Sequence, residues 1–141
     1  MRQPTKLHTA DEFRLLAEHH MRMADRSGHA FTILLIRVDE ANADRNVEAA
    51  GAAGVLVQAT RESDVLARVG DGRYCVLLTG DAGGREAMIL SRLVEEIAAH
   101  NARSGAGRLA LSVGAAAYEP KLPAPLDAVL DEAERRMTQR G

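Results

Sequence analysis

Arg61 and Asp64 stand three residues apart in the stretch Arg61-Glu-Ser-Asp64, and as a pair they set a planar donor fork beside an acceptor carboxylate. A guanidinium donates two parallel hydrogen bonds to a matching pair of acceptors. A carboxylate can accept from N–H donors on the opposite side of the same ligand. Taken alone, such a pair in a chain rich in Arg and Asp is a solvated surface ion pair worth at most about 1 kcal/mol. A second group is Arg37, Asp39, Asp71 and Arg73. Asp39 and Asp71 could form a displaced metal site, and Arg37 and Arg73 a metal-free anion site. The simpler reading makes the four residues charge partners across a hairpin. Cys75 lies in an apolar run, where a small buried thiol is expected. His19 and His20 are neighbours on a predicted helix, about 100° apart, with no ligand at the i+4 spacing a metal needs. They read as surface residues, and His29 and His100 are isolated.

The elements that must position these residues are legible from pattern. Thr9-Ala-Asp-Glu12 forms a capping box, in which Thr9 accepts from the Glu12 N–H and Glu12 reaches back. Phe13, Leu15, Leu16, Met21 and Met23 then follow helical spacing to about Ala24, and Asp25-Arg-Ser-Gly28 ends the helix. Ala30 to Val38 is a continuous apolar run broken only by Arg37, the mark of a strand buried on both faces. Polar residues from Glu40 to Asn46 predict a loop or a helix start, and Val47 to Thr60 a helix of small residues. Gly51 and Gly54 each cost that helix about 1 kcal/mol, tolerable if it packs closely on a neighbour. Val65–Val69 and Tyr74–Leu78 predict two strands joined by Gly70-Asp-Gly72, where Asp-Gly suits a tight turn. Gly80–Gly84 reads as loop, Glu86–Asn101 as a long helix, Leu109–Tyr118 as a strand and Pro120–Pro125 as a turn region. Leu126 to about Gln139 reads as a last helix.

The order α-β-α-β-β-α-β-α contains the β-α-β-β-α-β unit of a ferredoxin-like antiparallel sheet with helices on one face, so the fold class is α+β. A fold of this kind decides no function by itself. The 141 residues suit one domain with a real core, residues 1–8 being a flexible lead-in. A hydrophobic content of 46% and a charged content of 27% describe a soluble globular chain. Its apolar runs are too short to cross a bilayer, and no apolar leader follows Met1. With a net charge of −2, no Trp and few aromatics, the chain lacks the footprint of nucleic-acid binding. One cysteine excludes an internal disulfide and points to the cytoplasm.

Three segments together resemble the GGDEF domain of diguanylate cyclases, over nearly the whole chain. Arg68-Val-Gly-Asp-Gly-Arg-Tyr74 stands where that family has Arg-x-Gly-Gly-Asp/Glu-Glu-Phe. Ile33-Leu-Leu-Ile-Arg-Val-Asp39 stands where it has an apolar strand ending in Asp-x-Asp. Leu111-Ser-Val-Gly-Ala-Ala-Ala-Tyr118 is close to its Ser-Ile-Gly strand. The loop after Asp39 is short and lacks a Gly-His-x-x-Gly-Asp segment.

What the resemblance implies for catalysis is negative. A cyclase joins two GTP molecules with divalent metals held by carboxylates, because a hard cation takes oxygen ligands. Here Arg37 replaces the first strand Asp, and Gly72 and Arg73 replace the two signature acids. Asp71 replaces the second glycine, where its charge would repel phosphates. The shortened loop removes the guanine-recognising pair, and the chain ends at Gly141, about where the last helix would present a phosphate-binding Lys. Gly70, Asp71, Gly72, Arg73 and Tyr74 are therefore expected to form a degenerate signature, with no catalytic residues, no metal and no cofactor.

The resemblance also implies a retained function. In the family an Arg-x-x-Asp motif ending five residues before the signature forms the inhibitory site for cyclic di-GMP, and Arg61 and Asp64 fall in that register before Gly70. At a helix-to-strand corner the two side chains are expected to point outward together. A further Arg from the following helix corresponds to Arg92, whose plain alternative is an exposed charge facing Glu95 or Glu96. The expectation is an inactive domain that binds cyclic di-GMP through Arg61, Asp64 and Arg92. The ligand often binds this family as a stacked dimer that clamps two domains, so a homodimer or protein partner is expected too. The alternative is an interaction module without nucleotide binding, with the Val47–Thr60 helix as a candidate surface. Residual activity on GTP is the third and least supported reading.

Overall fold

The computed structural model describes residues 7–40, 51–61, 63–78, 85–103 and 109–140. The first turn expected of the 47–60 helix, the loop or helix start expected at 41–46 and the loop expected at 80–84 lie outside them, as does Gly141.

A two-residue strand β1 (Leu7–His8) leads into helix α1 (Ala10–Ser27). The capping box forms: the Glu12 N–H donates to Thr9 Oγ1 at 3.1 Å, and the Thr9 N–H to Glu12 Oε1 at 2.9 Å. The helix ends at Gly28, whose φ of 78° is the left-handed value glycine adopts without strain, and whose N–H donates to the Ala24 carbonyl. Next come β2 (Phe31–Glu40), α2 (Ala52–Ala59), β3 (Val65–Gly70) and β4 (Arg73–Leu78). They are followed by α3 (Arg85–Arg103), β5 (Leu109–Tyr118), α4 (Leu126–Arg135) and β6 (Thr138–Arg140).

The six strands form one sheet in the order β1-β3-β4-β2-β5-β6. Strand β2 is central and antiparallel to both β4 and β5. Its alternate side chains enter two cores, as the period of two requires. Leu34, Ile36 and Val38 pack with Leu56 of α2 and Ile89 and Leu93 of α3. Ile33 and Leu35 pack with Phe13 and Ala17 of α1 and with Val129 and Ala133 of α4. Full burial of each large aliphatic side chain stabilises by about 1.5–3 kcal/mol. The α+β class is as read from the sequence, with α2 and α3 on one face, while α1 and α4 cover the other.

Three expectations need correction. The sheet is mixed, because β1 runs parallel to β3 through Leu7↔Leu66 and His8↔Ala67. The last helix stops at Arg135, and residues 138–140 pair with Leu111–Val113 of β5, covering backbone groups that would otherwise lie at a sheet edge. The glycines of α2 are not two helix-interior residues packed on a neighbour. Gly51 is its N-cap at φ 92°, where a Cβ would lie 3.4 Å from the His100 ring of α3, and a Cβ on Gly54 would meet nothing within 4 Å.

Candidate nucleotide-binding site

The hairpin that the signature occupies turns on Asp71 and Gly72, and Gly72 supplies the positive φ of 66°. A register shift between Arg68 and Gly70 bulges β3 just before the turn. The Val38 N–H donates to the Gly72 carbonyl at 2.7 Å, tying the turn to β2, and Tyr74 is wholly buried beneath it. The ring anchors the hairpin in the core.

The charged side chains around the turn are paired, but not as expected. Arg37 lies 3.1 Å from Asp39 on its own strand, and its Nη2 approaches Ser112 Oγ at 3.4 Å. Asp71 faces solvent and accepts from Arg68 at 3.0 Å. Arg73 reaches past the turn to Glu134 of α4 at 2.7 Å. Arg37 and Arg73 are direct cross-strand partners, so two like charges meet, and each is neutralised by a different carboxylate. The predicted pairing across the hairpin is thus replaced by one local pair, one turn pair and one long-range pair. Among the described residues no cluster of three or more His, Cys, Asp or Glu is placed to hold a metal.

On the same face of the sheet a cleft of about 400 Å³ lies between α1, α4 and the hairpin strands, with Phe13, Leu35, Val69 and Leu130 among its walls. Cys75 lines it but is buried, and desolvation pushes its thiol up to about 12, with Arg73 opposing the shift. A neutral thiol of that kind is a poor nucleophile.

The Arg61/Asp64 corner follows α2. Thr60 closes the helix by donating its N–H and its hydroxyl to the Leu56 carbonyl. The next turn is clasped in both directions: the Arg61 N–H donates to Asp64 Oδ2 at 2.9 Å, and the Asp64 N–H donates to the Arg61 carbonyl at 3.0 Å. Asp64 is therefore only 4% exposed. The expectation that both side chains point outward fails for Asp64, because the turn needs an acceptor for a backbone N–H that neither helix nor strand supplies. Arg61 is half-buried, and its Nη2 lies 4.0 Å from Met88 Sδ on α3. Met88 and Arg92 are four residues apart on that helix and share one face. The fold thus brings Arg61 against the α3 face that carries Arg92. The sequence reading missed Met88, although its spacing four residues before Arg92 was there to find. It also missed Glu134, for which the sequence held no signal.

The sequence model of the family described as "Diguanylate cyclase, GGDEF domain" matches residues 49–141. No curated protein sequence matches. Among solved structures, the GGDEF domain of YfiN (TpbB) from Pseudomonas aeruginosa is 25% identical with a TM-score of 0.73, covering 92% of this chain and 87% of that one. Diguanylate cyclase SiaD of the same organism, in complex with its activator SiaC, superposes with a TM-score of 0.78 at 17% identity over 96% of this chain and 55% of that one. The coiled coil and GGDEF domain of DgcB from Caulobacter crescentus, in complex with c-di-GMP, gives 0.75 at 16% identity over 93% and 74%. The chain belongs to the GGDEF domain family.

Proposed function

We propose that this domain is catalytically silent and acts as a cyclic di-GMP receptor, with Arg61 and Arg92 contacting the ligand and Asp64 fixing the corner that presents Arg61. Silence is supported by the charges at the signature. Where the family places metal-binding carboxylates, this chain has Arg37, Gly72 and Arg73, and a divalent cation there would face two guanidiniums. Receptor function rests on one observation. Arg61 is half-buried at a clasped corner, with its guanidinium lying on the α3 face that bears Arg92. A planar fork so placed suits a guanine O6/N7 edge, and the second guanidinium suits the phosphates of a dinucleotide. Related domains bind the same molecule, as in the DgcB complex. A cytoplasmic location belongs to this proposal; no helix among the described residues is long and apolar enough to cross a membrane.

Titration calorimetry with cyclic di-GMP tests the reading. The wild type is expected to bind and Arg61→Ala to lose binding; absence of heat in the wild type, or equal affinity in the variant, overturns it. Incubation with GTP and Mg²⁺ or Mn²⁺ is expected to yield no cyclic di-GMP, and enzyme-dependent product would overturn the claim of silence.

A second reading, a protein-binding module indifferent to the dinucleotide, draws on exposed apolar side chains. Leu15 of α1 is 69% exposed and Leu122 is 79% exposed. SiaD, of the same fold, is complexed with a protein activator. A complex recovered in pull-downs equally with and without cyclic di-GMP would favour it.

A further inference from the structure

Methionine oxidation bears directly on the corner that holds Arg61. Met88 is 47% exposed, and its Sδ is the atom on which the Arg61 Nη2 rests at 4.0 Å. A thioether is a weak acceptor, so this contact leaves the guanidinium available to a better partner. Cys75, by contrast, is buried and its thiol is pushed up to about 12, which removes the thiolate that would attack peroxide. The accessible soft sulfur next to the corner is the thioether.

We propose that Met88 is a redox modification site that controls dinucleotide binding: its oxidation to the sulfoxide locks Arg61 onto α3 and weakens the corner's grip on cyclic di-GMP. The inference rests on the receptor reading above. In the chemical step, a sulfur lone pair attacks one oxygen of hydrogen peroxide, the O–O bond breaks as the S–O bond forms, and the other oxygen leaves as water after proton transfer. Sulfur loses two electrons and the peroxide gains them. The new S=O group is polar and a strong acceptor, and it replaces a flexible apolar tip with one that competes for the same guanidinium N–H groups as guanine O6 and N7. Sulfoxide-reducing enzymes reverse the change.

The test compares cyclic di-GMP affinity by calorimetry before and after hydrogen peroxide, with sulfoxide at Met88 verified by mass spectrometry. Affinity is expected to fall about tenfold, the equivalent of one charge-assisted hydrogen bond gained by the ligand-free protein. Met88→Leu is expected to have the same affinity before and after treatment. Met23→Leu removes a methionine of similar exposure (46%) on α1 and is expected to remain peroxide-sensitive. Met88→Gln, which carries an amide oxygen near the sulfoxide position, is expected to bind weakly without oxidant. A ligand-independent readout separates the two levels: the Arg61 side-chain ¹⁵N resonances are expected to shift on oxidation in the wild type and to stay put in Met88→Leu. If the reduced protein fails to bind cyclic di-GMP, the receptor reading fails. If it binds, and complete Met88 oxidation changes neither its affinity nor the Arg61 resonances, the redox inference alone is overturned.

Discussion

Arg73 and Glu134 stand 61 residues apart in sequence and 2.7 Å apart in space. The pair joins the signature hairpin to α4, at a position where the family resemblance calls for an acidic residue on the hairpin. It links turn and helix by charge. Both side chains are more than a third exposed, at 38% and 47%, so screening keeps the energy small. Arg73→Ala and Glu134→Ala are each expected to cost less than about 1 kcal/mol in urea unfolding, decreasing with added salt. The exchange Arg73→Glu with Glu134→Arg is expected to restore part of the loss, and a double-mutant cycle measures it.

Gly114 is required for a different reason. A Cβ there would run into the Ala133 carbonyl and come within 2.9 Å of the Met137 backbone nitrogen. Helix α4 therefore lies against bare backbone of β5. Gly114→Ala is expected to destabilise by about 3 kcal/mol through overpacking, seen as a lower urea midpoint with little change in slope.

Asp64 is predicted to act on the corner rather than only on the ligand. Asp64→Ala leaves the Arg61 N–H without its acceptor at a nearly buried site, at a cost of about 1–3 kcal/mol in unfolding free energy. It should also weaken cyclic di-GMP binding by loosening Arg61. Arg61→Lys should leave stability intact but lose binding, because an ammonium cannot offer the planar fork.

Cys75 gives a pH signature. Its folded thiol titrates near 12, against a reference of 9.0. Between these values the unfolded chain releases a proton that the folded chain retains, so this contribution is complete below about pH 9 and falls as pH rises toward 12. The alkaline loss of stability should be shallower in Cys75→Ala than in the wild type. At pH 8 iodoacetamide should label Cys75 only after denaturation.

Local chemistry made much of the fold legible. The Thr9/Glu12 box, the Asp71-Gly72 turn and the two-faced run of β2 depend on neighbours in sequence, and the structure has them as read. What escaped depends on distant partners. The strands at 7–8 and 138–140 are defined by backbone pairing with Leu66–Ala67 and Leu111–Val113, which no side-chain pattern in such short segments announces. The inward turn of Asp64 follows from an unpaired N–H one turn away, a demand that appears only once α2 is seen to end at Ala59. Arg61 and Arg92 were singled out by spacing, and the residue that Arg61 reaches is Met88, four residues before Arg92 on α3, whose spacing could have been read but which carries no charge.

Strand β2 also sets the order in which the molecule can come apart. Ile33 and Leu35 belong to one core, Leu34, Ile36 and Val38 to the other, and both strand neighbours hold its amides. Neither layer of helices can peel away without exposing alternate residues of this one segment. Its amide protons should be among the slowest to exchange with deuterated solvent, at a rate set by global opening, so the two halves of the domain unfold as a single unit.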